Sequence, residues 1–469
     1  MLGLLITAVL LAQDPSVAAA KPSVPPKAPT FAQVVTEHFV VWDADANGTL
    51  SAVEVDLACV APLVKGEAAA AAAAIKRIVR SGKYAVPELT LANLTASPPK
   101  PVPKAAAKVP AAADAKAGDQ PAGTEPATGT STADIDRKDS TERPSPQPAG
   151  AAPAATLPAP NFQSSFAGSL RKITAAKREL FLDPTPDLDH CRQGPLGDCY
   201  FVASVGAMVA RDAAAVQKMV QQNADGSYAV TFGDGRSITV PELTDAELAL
   251  SGSTGDEGLW LPVLEKAVGR LRQTENPARY KTLTATDAIA HGGSTSSMIR
   301  MLTGHTTKSL GLKRQKRTGK KGPDGRPILS DPVALAPVEE LAARVRKEVG
   351  AALQERRLVT ASTGTEKQPP GISGRHAYTV LRFDAAADTV TLWNPHGNSF
   401  RPKGEAGLKT GYATRAGVFT VPVMEFVQVF RGVAYETGES VTGNKPAVPT
   451  KEVPTPEKAK TGTNGSNGK

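Results

Sequence analysis

Gln193-Gly194-Pro195-Leu196-Gly197-Asp198-Cys199-Tyr200 packs two glycines and a proline directly before an apolar stripe, Phe201, Val202, Val205, Met208 and Val209, that recurs at helical spacing. Such a loop puts Cys199 at or near a helix N-terminus. There the unpaired backbone N–H groups and the positive end of the helix dipole favour thiolate, the reactive form of cysteine. Gln193, six residues earlier on the same loop, could offer its side-chain amide to an oxyanion, with the Cys199 backbone N–H as second donor. The same cysteine would equally suit a small buried position at a helix start, where most free cysteines go. What decides between these readings lies further along the chain.

Gly374-Arg375-His376-Ala377-Tyr378-Thr379-Val380 sets a histidine at the beginning of a β-patterned run, and the next run ends in Leu392-Trp393-Asn394-Pro395-His396-Gly397. If the two runs are adjacent antiparallel strands, the start of one lies beside the end of the other. His376 and Asn394 then come within hydrogen-bond reach. The asparagine oxygen would fix the ring tautomer and leave the other nitrogen for the thiol. A lone histidine is more often a surface or satisfied core residue and an Asn-Pro pair more often a turn. The other histidines, at 38, 190, 291, 305 and 396, lack this combination of strand start and Asn-bearing partner.

Cys199, His376 and Asn394 stand in segments that resemble the calpain family of papain-like cysteine proteases, and the resemblance runs from about Lys177 to Glu436. Gln193 to Tyr200 resembles the family's Gln-Gly-x-Leu-Gly-Asp-Cys loop and its following aromatic. Asp225 to Val230, Trp260 with Leu264-Glu265-Lys266-Ala267, Gly292-Gly293, Leu302-Thr303-Gly304, Gly374 to Val380 and Asn394 to Gly397 are similar to further family elements, in the right order. The resemblance implies a two-lobed α+β papain-like core, with the cysteine helix in one lobe, the His and Asn strands in the other and substrate between them. It implies a triad of Cys199, His376 and Asn394 with Gln193 as oxyanion donor, acting as an endopeptidase on protein or peptide substrates. The chain departs from the family at Tyr200, at His396, where tryptophans are usual, and at Arg375, inserted after the glycine. A transglutaminase-like acyl transferase would more often orient its histidine with Asp and lacks the loop.

Upstream, Asp43-Ala44-Asp45-Ala46-Asn47-Gly48-Thr49-Leu50-Ser51-Ala52-Val53-Glu54 fits the twelve-residue EF-hand loop. Asp43, Asp45 and Asn47 offer side-chain oxygens, Thr49 its carbonyl, Ser51 a ligand through water and Glu54 a bidentate carboxylate, all suited to Ca2+. The competing reading is an acidic surface loop. Residues 81–89 read as a degenerate partner loop that binds no ion. Residues 31–96 are expected to form a small all-α, EF-hand-like domain, with a stripe of Phe31, Val34, Val35, Phe39 and Val40 and an alanine-rich helix at 67–80. A calcium-binding adaptor built on a dead protease body is the alternative function.

The remaining composition bounds the rest. Residues 1–20 carry an apolar run ending in small residues and read as a signal peptide, which predicts an exported protein, periplasmic, cell-surface or extracellular. No Lys or Arg precedes that run. Residues 97–160 are Pro-rich and Ala-rich with few large apolar side chains and read as a disordered linker, as do residues 438–469 as a tail. That leaves residues 161–437 as the protease domain, with no other apolar stretch approaching the roughly 20 residues of a membrane helix. The net charge of +8 is scattered, and its densest cluster, Lys313 to Lys321, has no interleaved aromatics, so nucleic acid is not an expected partner. Three cysteines exclude a disulfide scaffold, though Cys59 and Cys191 could pair after export.

Overall fold

Thr30 caps the first helix with a reciprocal pair of bonds to Gln33, and α1 (Phe31–Trp42) buries Phe31, Val34, Val35, Phe39 and Trp42. Val40, expected on the same stripe, points outward and is 81% exposed. In this computed structural model, which describes residues 28–96, 157–182, 186–255, 257–321 and 327–440, Ser51 and Glu54 form a second capping box that starts α2 (Ala52–Val60). Then come α3 (Gly66–Ser81), which ends on left-handed Gly82, and α4 (Leu91–Thr95), capped by Thr90. The two helix–loop–helix units join through their loops. The Leu50 N–H donates to the Leu89 carbonyl at 3.1 Å, and Thr49 bridges antiparallel to Thr90. The expected signal peptide, most of the expected linker and all but the first residues of the expected tail lie outside the described residues.

These four helices were expected as a separate domain, but they share a core with elements later in the chain. The alanines of α3 from Ala68 to Ala74 are all buried, because a face without bulk lets neighbouring backbones approach from several sides. α3 packs against both α5 (Phe162–Ala175) and α7 (Asp245–Leu250). Phe31 stacks on Phe162 with ring centroids 5.3 Å apart. Thr244 Oγ1 donates to the Cys59 carbonyl at 2.6 Å, and the Gly66 N–H to Asp245 at 2.8 Å.

Between these contacts, α6 (Cys199–Met219), a small antiparallel sheet of β1 (Val220–Gln222), β2 (Tyr228–Thr231) and β3 (Ser237–Val240), and α8 (Trp260–Glu275) form the helical lobe. β2 and β3 form a hairpin that turns around Gly233-Asp234-Gly235. The second lobe is a six-stranded antiparallel sheet of β4 (His305–Gly311), β5 (Val359–Thr363), β6 (Ala377–Asp384), β7 (Thr389–Trp393), β8 (Val418–Pro422) and β9 (Phe430–Ser440), in the order β8-β7-β6-β5-β9-β4. This mixture of helices with antiparallel sheet fits an α+β papain-like fold. Strands β4 and β9 were not expected, and β9 carries the lobe to Ser440, where it still pairs with His305. Tyr378, Val380, Val390, Leu392, Phe426 and Phe430 fill a second core on one side of the sheet.

α6 meets the length and apolarity of a membrane span, contrary to the expectation that nothing after residue 20 would. It is a core helix instead: twelve of its residues are buried, and Asp212 breaks its helical dihedrals. It lies across β6, where Thr379 Oγ1 donates to the Ala203 carbonyl at 2.6 Å.

Candidate active site

The loop before α6 is shaped by close approach. A Cβ on Gly194 would sit 2.1 Å from the Ser251 carbonyl oxygen, and one on Gly197 would sit 2.9 Å from that of Ala290. Cys199 is thereby delivered as the first residue of α6, half-buried, with Asp198 as its N-cap. Among the backbone N–H groups that favour the thiolate, that of Ala377, across the lobe boundary, has the largest effect. Burial nonetheless pushes the thiol above its ordinary value, against the pull of the Ala377, Tyr200 and Cys199 N–H groups, and the nearby Asp198 charge adds to the push. The expectation of a resting thiolate is therefore corrected, because desolvation outweighs the helix terminus.

Ala377 follows His376, so the imidazole and the thiol belong to neighbouring positions across the two lobes. His376 Nε2 is 2.8 Å from Asn394 Oδ1, which leaves Nδ1 unshared. The antiparallel register of Thr379 with Trp393 creates that meeting, as the strand pattern implied. Asn394 is held by its own contacts: its backbone N–H donates to Gly417, Nδ2 donates to Asn398 Oδ1 at 2.8 Å, and Oδ1 also accepts the His396 N–H. Burial, with a smaller push from His396, lowers His376 to about 3 against the opposing bond to Asn394. The His396 ring stacks on His376 with centroids 4.2 Å apart and planes 19° apart. The residue that departs from the family's tryptophan thus still covers the imidazole.

Gln193 is close by but differently turned. Its Nε2 donates to the Leu196 carbonyl at 2.7 Å and to Asp198 Oδ1 at 3.0 Å, so neither hydrogen faces an oxyanion here. Its backbone N–H donates to the Pro395 carbonyl, tying the loop before Cys199 to the turn that follows Asn394. Tyr200 donates to the Ile289 carbonyl at 2.8 Å beneath the Arg272 guanidinium. Cys59 and Cys191 are free and buried, so the possible disulfide between them is not formed, and burial pushes the Cys59 thiol to about 12. Sequence reasoning gave no role to Asp198 and Glu265, both buried carboxyls. Both stand in segments that carry the family resemblance, Asp198 in the Gln193 to Tyr200 loop and Glu265 in Leu264-Glu265-Lys266-Ala267.

In the N-terminal loop, carboxylate oxygens of Asp43, Asp45 and Glu54 lie within 4.8 Å of one another. Asp43 accepts the Asn47 and Gly48 N–H groups, and Glu54 accepts those of Ala44, Asp45 and Ser51. The Ser51 hydrogen bonds, from backbone and side chain, hold the Glu54 carboxyl below its ordinary value. Asn47 and Ser51 make local bonds, to Asp45 and Thr49 and to Glu54 respectively. This donor set, hard oxygens held close together, fits a calcium ion.

Residues 170–405 match the family described as calpain family cysteine protease. No curated protein matches the chain.

Proposed function

Because the chain belongs to the calpain family of cysteine proteases, the match spanning just over half its length, we propose that it is a calcium-modulated cysteine endopeptidase with Cys199 as nucleophile, His376 as general base and Asn394 as the residue that orients the histidine. The observation that carries this reading is the His376–Asn394 bond made by Nε2, on a strand that is bonded through Thr379 to the helix that begins at Cys199. A neutral imidazole whose Nε2 is committed to Asn394 has Nδ1 available as base. Nδ1 takes the thiol proton as Sγ adds to the scissile carbonyl carbon, and the carbonyl oxygen becomes an oxyanion facing the Cys199 N–H and Gln193. The C–N bond then breaks, and the leaving amine takes the proton from His376. Water, giving up a proton to Nδ1, attacks the thioester and releases the acid and the free thiol. Protein or peptide substrates would bind between the lobes.

Asp43, Asp45, Asn47, the Thr49 carbonyl, Ser51 through water and Glu54 would hold a calcium ion, whose charge would offset the clustered carboxylates. α2 begins inside that loop and carries Cys59 against the protease lobe, which supports modulation rather than simple tethering. The apolar run at residues 4–11 supports export. The test is casein cleavage by the full chain across a calcium titration, comparing native protein with Cys199→Ala and Glu54→Gln. Cys199→Ala should abolish cleavage, and Glu54→Gln should shift the calcium response to higher concentration. Calcium binding without cleavage would favour the adaptor reading, and a flat calcium response would remove the modulation.

A further inference from the structure

Two buried carboxyls at the start of the nucleophile helix have no part in the acyl-transfer steps. Asp198, immediately before Cys199, is fully buried, and Glu265 on α8 is 1% exposed. The two buried carboxyls bear on each other's ionisation, since two negative charges side by side in low dielectric disfavour one another. Burial raises both carboxyls above their ordinary values, and Glu265 is the one pushed further by its neighbour's charge. Burial, reinforced by the Asp198 charge, raises its carboxyl well above the ordinary range, and its oxygens accept the Gly252 N–H at 3.0 and 2.8 Å. Lys172 on α5, anchored by its ammonium on the Ser251 carbonyl, supplies a positive charge that favours the ionised form of Asp198.

The partner that Asp198 bonds directly is Gln193. Asp198 Oδ1 accepts from Gln193 Nε2, and the amide oxygen, Oε1, is buried without a partner. The side chain is therefore held by its nitrogen end alone. An ionised carboxylate only accepts, so turning the amide over would set Oε1 against it. The carboxylate thus selects which end of the amide lies beside the start of α6.

We propose that Asp198 is a positioning residue for the oxyanion donor, its buried carboxyl group holding the nitrogen end of Gln193 next to Cys199. The proposal rests on the cysteine peptidase reading. The charge-assisted bond to Asp198 is the fixed one. The bond to the neutral Leu196 carbonyl is the one the amide exchanges for the oxyanion during acyl transfer.

The test is a double-mutant cycle between Asp198→Asn and Gln193→Ala in the full chain. Replacing a charged acceptor by a neutral, two-ended one should lower kcat about tenfold with KM changed less than about twofold. In the Gln193→Ala background the same replacement should change kcat less than about twofold, because the residue through which Asp198 acts is gone. Equal losses in both backgrounds, or a loss carried by KM, would overturn the proposal. Should Asp198→Asn not fold, the native chain supplies a second readout. The Gln193 side-chain amide protons, followed by 15N NMR, should exchange with solvent far more slowly than those of an exposed glutamine, and fast exchange would overturn the positioning role. That readout needs no catalysis. Protected amide protons in a chain inert towards peptides would sink the peptidase reading alone, and fast exchange in an active chain would sink the positioning alone.

Discussion

His376 pays for its place at the lobe junction with its basicity. Its folded value of about 3 lies below the ordinary 6.5, so between those limits the unfolded chain binds a proton that the folded chain does not. Stability is therefore intact above about pH 6.5 and falls as pH drops towards 3, at a limiting slope of roughly 1.4 kcal/mol per pH unit for one proton. Denaturant unfolding between pH 7 and 4 should show a shallower acid loss in His376→Gln, and an unchanged slope would reject this origin. The residues Cys199, His376 and Asn394 were legible in sequence because each stands in a distinctive local setting: a glycine-bounded helix start, a strand start and a strand end. The charge state of Cys199 was not legible. The helix-terminus effect is local and readable, whereas the desolvation that overrides it exists only once the folded chain has buried the thiol. The orientation of Gln193 escaped for the same reason, since the Asp198 carboxyl that holds its amide is buried only in the folded chain.

α6 and the strands β6 and β7 are the elements on which the site depends, and Gly206 is where they touch. A Cβ there would lie 2.6 Å from the Trp393 ring and 2.9 Å from Thr379 Oγ1. Gly206→Ala should therefore push α6 off β6 and β7, costing about 1–3 kcal/mol of stability, the usual penalty for overpacking. It should also lower kcat, and calorimetry with a peptidase assay would measure both; an unperturbed variant would mean the two elements are less tightly seated. The central strands were readable from their alternation and β-branched content, as at Val359 to Ser362 and Thr389 to Trp393. β4 was not, because His305 to Gly311 buries only Leu310 fully, so its pattern resembles a polar loop. It is a strand because β9 offers it a ladder of partners from Gly432 to Glu436. α6 misled in the other direction, since a helix buried on most sides has the composition of one that crosses a bilayer.

Across the whole molecule the N-terminal helices are built into the protease body through buried charge as well as apolar contact. Lys76, 2% exposed, pairs with Asp56 at 2.7 Å and with buried Asp287 at 3.4 Å, and it donates to Thr284 Oγ1; Arg80 joins the same two carboxylates. Removing one partner from such a cluster strands the others in low dielectric, so Lys76→Ala should cost about 3–5 kcal/mol, measurable by denaturant unfolding. Since residues 31–95 and the helical lobe share one core, calorimetry of the native chain should give a single unfolding transition for both, and two resolved transitions would show that they fold apart. By itself the sequence determined the chemical groups of the site, the calcium-type oxygen pattern at 43–54 and the strand and helix types that carry them. These are written in neighbouring residues, where spacing and turn chemistry act over a few positions. Only the tertiary structure decided that the N-terminal helices join the protease core, that the cysteine rests as a thiol, and that Gln193 is turned onto Asp198. Each of those outcomes is fixed by burial and by partners far away in the chain, and burial exists only once the chain has closed on itself.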